Sequence, residues 1–141
     1  MVIEKISNSE EETGNIAKEV SMKIKPGSVI AFSGDLGCGK TLFTKYFARF
    51  LGVEDEITSP TFNLVEEYEG KLKLYHFDLY RIENSSELDL LGFEDYWESD
   101  GVSVIEWAER AMDRLPDDKI VIDIEYVNET TRRFRIEYPD N

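Results

Sequence analysis

Cysteine is nearly absent from this 141-residue sequence, which carries only Cys38. A lone cysteine excludes an internal disulfide and a cysteine-rich zinc site, and it fits a reducing compartment. Apolar runs are short, none approaching the ~18 residues that a membrane-spanning helix needs. The first residues, MVIEKISNSEEETG, lack a basic start followed by an apolar stretch, so neither export nor membrane insertion is expected; the expected location is the cytoplasm. Without a secretion signal, the sequons at Asn84 and Asn128 carry no information. Positive charge is scarce as well. Sixteen Lys and Arg face thirty Asp and Glu, a formal net charge of −14, which excludes broad attraction to a phosphate backbone. A nucleic-acid grip would need a local basic patch. The one dense cluster, Arg132, Arg133 and Arg135 between Glu129 and Glu137, reads as the outward face of an edge strand.

What is present suffices for a core. The length is close to the ~150 residues of one globular domain, and such a domain buries roughly 68–70% of the surface its unfolded chain exposes. A single domain over residues 1–141 is therefore expected. Val2 to Ile6 alternates apolar and polar residues as a strand does, and Ser9 with Glu12 forms a capping box for a helix from about Glu10 to Met22. Ser28 to Ser33 reads as a buried strand. It runs into the glycine-rich segment 34–41, after which Leu42, Phe43, Tyr46, Phe47, Phe50 and Leu51 mark an amphipathic helix ending at Gly52. Phe62–Tyr68 and Lys71–Leu79 read as a hairpin around Glu69-Gly70. Ser85 or Ser86 can cap a short helix carrying Leu88, Leu90 and Leu91. Val102–Ile105 is a further buried strand, followed by Glu106 and a polar helical segment up to Pro116. Lys119–Val127 and Arg132–Tyr138 form a C-terminal hairpin. The order predicts an α/β fold with a mainly parallel central sheet, flanking helices and antiparallel additions.

Residues 34–41, GDLGCGKT, match G-x-x-x-x-G-K-[ST] in full, between a buried strand and an amphipathic helix. Each part has a physical task. Gly34, Asp35, Leu36, Gly37, Cys38 and Gly39 supply inward-pointing backbone amides, and the following helix adds its positive end, so a polyphosphate is gripped by amides and dipole. Lys40 supplies a cation for the β- and γ-phosphates, and Thr41 a hydroxyl for the Mg²⁺ that bridges them. A glycine turn that merely joins strand to helix is the competing reading. Cys38 reads as a small spacer.

Such a loop needs acidic partners, and no apolar run ends in Asp-Asp or Asp-Glu. Asp78, at the end of LKLYHFD, and Glu106, at the end of VSVIE, are the candidates, because ligands of open α/β sheets sit beyond the carboxyl ends of the parallel strands. Glu106 fits that rule best. Thr58, Ser59, Pro60 and Thr61 lie where many nucleotide hydrolases keep a segment that senses the γ-phosphate. His76, the only histidine, shares a strand face with Asp78 and reads more readily as packed or hydrogen-bonded than as catalytic. Trp107 either reports on the nucleotide site or is plain core.

GDLGCGKT, TSPTF at 58–62, HFDLYR at 76–81 and EWAER at 106–110 follow the order and spacing of the bacterial TsaE family, also called YjeE. On those motifs the chain resembles that family of small ATPases of tRNA threonylcarbamoyladenosine biosynthesis. The family pattern usually places a second threonine where this chain has Leu42. The resemblance implies a P-loop fold that binds ATP and Mg²⁺ and works with a TsaB-like protein and a TsaD-like threonylcarbamoyl transferase. By motif, Thr41 and Glu106 would hold Mg²⁺, Lys40 and the loop amides the phosphates, Asp78 the catalytic water, and Thr58 to Thr61 would form the switch. The nucleotide base would lie between the first helix and the C-terminal hairpin, near Glu10, Thr13, Thr131 and Arg132. Net acidity agrees with action on a protein complex rather than a strong direct grip on tRNA. The switch and the aromatic segment Phe93–Trp97 are the expected partner contacts, burial in the core being the competing reading for the aromatics. Two other classes stay open: a nucleotide-dependent binding module with negligible turnover, and a small-molecule kinase, for whose acceptor pocket and lid the length leaves little room.

Overall fold

A computed structural model of the chain describes residues 1–34, 39–57, 65–97 and 99–139. Short apolar runs become the middle of a seven-stranded sheet. Strand β1 (Val2–Ser7) leads into helix α1 (Glu10–Ser21), and β2 (Val29–Gly34) precedes helix α2 (Lys40–Phe50). Then come β3 (Val65–Tyr68), β4 (Leu74–Asp78), β5 (Val102–Glu106), β6 (Ile120–Tyr126) and β7 (Arg132–Glu137). In space the order is β1-β7-β6-β2-β5-β4-β3. β2 runs parallel to both β5 and β6, and β4 parallel to β5. β3, β7 and β1 attach antiparallel. The α/β class, the parallel centre and the C-terminal hairpin are thus as the pattern predicts.

The central strands lack alternation because both faces are covered. On one side α1 and α2 bring Ile16, Ala17, Val20, Phe43 and Phe47 against Ile30, Phe32, Val104, Ile122 and Phe134. On the other, short 3-10 segments bring Leu88, Phe93, Ala108, Ala111 and Leu115 against Ala31, Phe77 and Ile105. Since β2 is central and the chain places later strands on both sides of it, the carboxyl ends of β2, β5 and β4 stand in a row. That row is the topological switch point where open α/β sheets bind ligands.

Several local expectations give way to tertiary contacts. β7 is not an edge strand: β1 pairs along it from Val2 opposite Glu137 to Ser7 opposite Arg132, a match between chain ends that no local pattern reveals. Arg133 and Arg135 do face outward, where Glu125 and Asp123 of β6 lie 3.2 and 3.9 Å away. The segment after Glu106 forms only two 3-10 turns, Ala108–Arg110 and Met112–Arg114. Trp107, at φ 60°, reverses the chain, and burying Ala108, Ala111 and Leu115 on the sheet wins over a continuous helix. The cap before Leu88 is Asn84, whose side chain accepts from the Ser86 N–H at 2.9 Å while Glu87 accepts from the N–H of Glu83 and Asn84. Asparagine caps as well as serine and stands one residue earlier, with a glutamate three residues on. The helix that follows is a 3-10 helix, Ser85–Leu91.

The aromatic segment is divided between core and surface: Phe93 enters the core, while Tyr96 and Trp97 pack half-buried against it. Phe93 is fully buried, its ring edge-on to Phe77 at 5.2 Å and to Trp97 at 4.4 Å. Burial also holds the Tyr96 phenol above its ordinary range. Among the described residues no helix is long and apolar enough to cross a membrane.

Candidate functional site

The two helices begin in opposite ways. α1 is capped by Ser9, whose hydroxyl accepts from the Glu12 N–H at 3.1 Å, and carries Glu10, Glu11 and Glu12 in its first turn. Its positive end is satisfied within the chain. α2 starts after Gly39, at φ 109°, with no side-chain cap, no acidic residue in its first turn, and a lysine, Lys40, as its first residue. A cation there opposes the helix dipole unless an anion joins it. Lys40 is only 5% exposed, and its Nζ has no hydrogen-bond partner among the described residues; it lies 4.6 Å from the centre of the Trp107 ring. A buried ammonium without a counter-charge costs several kcal/mol. The helix end and the lysine together form a receptor for negative charge.

The neighbouring strands bring acids to the same end of the sheet. In the β4–β5 register Asp78 stands opposite Glu106, and His76 opposite Val104. Alternation puts His76, Asp78 and Glu106 on the face covered by α2. Glu106, largely buried, accepts a hydrogen bond from His76 Nε2 at 2.6 Å through Oε2. A carboxylate oxygen only accepts, so the proton lies on Nε2. Asp78 is partly occupied locally, its Oδ1 accepting from the Tyr80 N–H at 3.0 Å. Trp107 follows Glu106 directly and links this acid to Lys40 through its ring, which Tyr80 also meets at 5.0 Å.

Beside the start of α2 opens a cavity of about 300 Å³ lined by Asn8, Ser9, Glu10, Thr13, Gly39, Leu42, Glu129, Thr130, Arg132 and Phe134. It lies between the head of α1 and the turn of the β6–β7 hairpin, a volume at the lower end of small-ligand pockets. Thr131 donates to Asn8 Oδ1 at 3.1 Å, tying the hairpin turn to the entry of α1. Arg132 is held over the Tyr126 ring at 4.6 Å and donates to the Asn128 carbonyl at 2.6 Å.

The structure thus brings together Gly39, Leu42, Glu10, Thr13 and Arg132 around one opening, Lys40 against Trp107, and Asp78 and Glu106 on adjacent strand ends. Thr131 stands next to the cavity as a tie rather than in its lining. Gly34 ends β2, and Thr41 is the second residue of α2. Asp35, Leu36, Gly37 and Cys38, and the proposed switch Thr58, Ser59, Pro60 and Thr61, lie outside the described residues. Sequence reasoning missed Asn8, Ser9, Glu129, Thr130 and Phe134 as lining, and the pairing of His76 with Glu106. Only the strand register could have flagged that pair, since the residues are 30 apart in the chain.

Among the described residues no three His, Cys, Asp or Glu gather as a metal-binding group. The two oxygen-bearing side chains that the motifs name for Mg²⁺ are of the type that ion prefers, a carboxylate at the end of β5, Glu106, and a hydroxyl in the first turn of α2, Thr41.

The family model described as "Threonylcarbamoyl adenosine biosynthesis protein TsaE" matches residues 7–134. The tRNA threonylcarbamoyladenosine biosynthesis protein TsaE of Bacillus subtilis is 44% identical over 123 residues, covering 86% of this chain and 77% of its own. The protein of that name from Treponema pallidum is 36% identical over 131 residues, 93% of this chain and 97% of the relative. The crystal structure of Bacillus subtilis YdiB superposes with a TM-score of 0.81 at 35% identity, covering 100% of this chain and 88% of that one. The chain belongs to the TsaE family of tRNA threonylcarbamoyladenosine biosynthesis proteins.

Proposed function

We propose that this TsaE-family chain binds ATP with Mg²⁺ at segment 34–41 and hydrolyses it in support of tRNA threonylcarbamoyladenosine synthesis, acting on a TsaB-like and TsaD-like partner complex. The observation that carries the reading is the buried Lys40 ammonium, unpartnered among the described residues, at an uncapped helix start. A polyphosphate is the ligand that relieves both defects at once.

In this reading Lys40 and the first amides of α2 hold the β- and γ-phosphates, and Thr41 and Glu106 hold the metal. The chemistry Mg²⁺ supplies is neutralisation of charge on those phosphates. Asp78, one strand further out, orients the attacking water, and Glu10, Thr13, Leu42 and Arg132 line the cavity that receives the base. The Lys40–Trp107 contact makes indole fluorescence a reporter of phosphate arrival.

The test is steady-state ATP hydrolysis by the chain alone and with saturating cognate TsaB- and TsaD-like proteins. Turnover that is slow alone and rises at least tenfold with the partners is expected, because a water-attacking site depends on positioning and charge stabilisation that a partner can complete. Tight binding with no turnover in either case would make the chain a nucleotide-dependent binding module. Transfer of the γ-phosphate to an added metabolite would make it a kinase.

A further inference from the structure

We propose that His76 is a positioning residue for Glu106, holding one carboxylate oxygen so that the other is presented to the nucleotide-bound metal. The inference rests on the reading of Glu106 as a Mg²⁺ ligand. His76 is fully buried in the middle of β4, on a face it shares with Leu74 and beside Val102 and Val104 of β5, all of them fully buried. On the β5 side these surroundings suit an apolar side chain, while Glu66 of β3 stands opposite His76 on the other. An imidazole there leaves Nδ1 buried and without a hydrogen-bond partner among the described residues, which destabilises the fold. Among the described residues, the polar contact that offsets it is the 2.6 Å bond from Nε2 to Glu106 Oε2.

The direction of that bond matters. Asp78 is the residue directly opposite Glu106, and His76 is diagonal to it. Glu106 turns to the diagonal neighbour, a donor, rather than to the acceptor-only carboxylate opposite it, and Asp78 keeps its own bond from the Tyr80 N–H. A glutamate has three rotatable side-chain bonds, and a hydrogen bond fixes the orientation of its carboxylate where packing alone does not choose between the two oxygens. With Oε2 engaged, Oε1 is left without a hydrogen bond among the described residues and can serve the cation. Partners that orient a metal-binding carboxylate in this way typically change metal affinity by about 10–100-fold.

Calorimetric titration of ATP, with Mg²⁺ and with chelator, separates this role from a packing role. His76→Leu approximately preserves volume at a fully buried position, so it should fold and keep its metal-free ATP affinity, while the enhancement that Mg²⁺ gives falls at least tenfold. His76→Gln, whose amide N–H can reach the place of Nε2, should retain most of that enhancement. An undiminished Mg²⁺ enhancement in folded His76→Leu overturns the proposal. If His76→Leu does not fold, the Gln variant is compared with His76→Asn, whose amide is too short to reach; equal enhancements in those two would also overturn it. Failure of the underlying reading looks different: Glu106→Gln would then bind ATP with the same Mg²⁺ enhancement as the wild type.

Discussion

Lys40 shows how one residue can be poorly placed for stability and well placed for a ligand. Its buried ammonium lacks a hydrogen-bonding counter-group among the described residues and opposes the α2 dipole. Lys40→Ala should therefore weaken ATP binding at least tenfold, the loss of a charge-assisted contact worth about 1.5–3 kcal/mol. Without nucleotide, the variant should melt no lower than the wild type, because it removes an unpaired buried charge. Calorimetry and thermal melts check both halves. Unchanged ATP affinity in the folded variant would sink the assignment of segment 34–41. The two acids divide in the same manner. Glu106→Ala should reduce ATP affinity in the presence of Mg²⁺ and leave metal-free affinity nearly intact, whereas Asp78→Ala should lower turnover with binding preserved. Titrations giving the reverse pattern would mean that the acids have exchanged roles.

At the scale of elements, the site depends on how strand ends are anchored. β5 carries Glu106, and its entry is set by Gly101, where an added Cβ would lie 2.6 Å from the Tyr75 ring and 2.7 Å from the Lys73 carbonyl oxygen. The carbonyl belongs to the segment entering β4 and accepts from the Val102 N–H at 2.8 Å, so it cannot retreat without breaking the β4–β5 register. Gly101→Ala should cost about 1–3 kcal/mol and lower the melting temperature by roughly 3–12 °C. A melt within a degree of the wild type would show that the strand entry has slack. Of these elements, the strand–loop–helix order around residues 28–52 was legible in the sequence, because glycine spacing, an apolar run and a 3.6-residue period are local signals. The 3-10 turns after Glu106 were not, because burial of Ala108, Ala111 and Leu115 is decided by the sheet beneath them.

The whole molecule carries a net charge of −14, and its one basic cluster is dispersed by the fold. Arg133 and Arg135 lie among Glu125, Asp123 and Glu137, and Arg132 turns to the other face, over Tyr126. No continuous positive surface results from these three side chains. The free chain should consequently show no tRNA binding at micromolar concentrations in about 0.15 M salt, where affinity for nucleic acid rests on phosphate neutralisation. Fluorescence anisotropy with labelled tRNA decides it. Salt-sensitive micromolar binding would mean that a basic surface exists after all.

By itself the sequence determined the glycine-rich segment between strand and helix, the two acids at strand ends and the parallel centre of the sheet, because each follows from neighbours a few residues apart. Even Asp78 and Glu106 were legible, since the position of an acid at the end of an apolar run is a local fact. Tertiary structure alone decided what those residues touch. It buried Lys40 against Trp107, joined His76 to Glu106 across 30 residues, tied Thr131 to Asn8 across 123, placed β7 between β1 and β6, and sank Phe93 into the core. The reason is physical: local patterns specify backbone form and which face is apolar, whereas the partner of a buried polar group depends on strand order and register, which are set by the packing of the whole sheet.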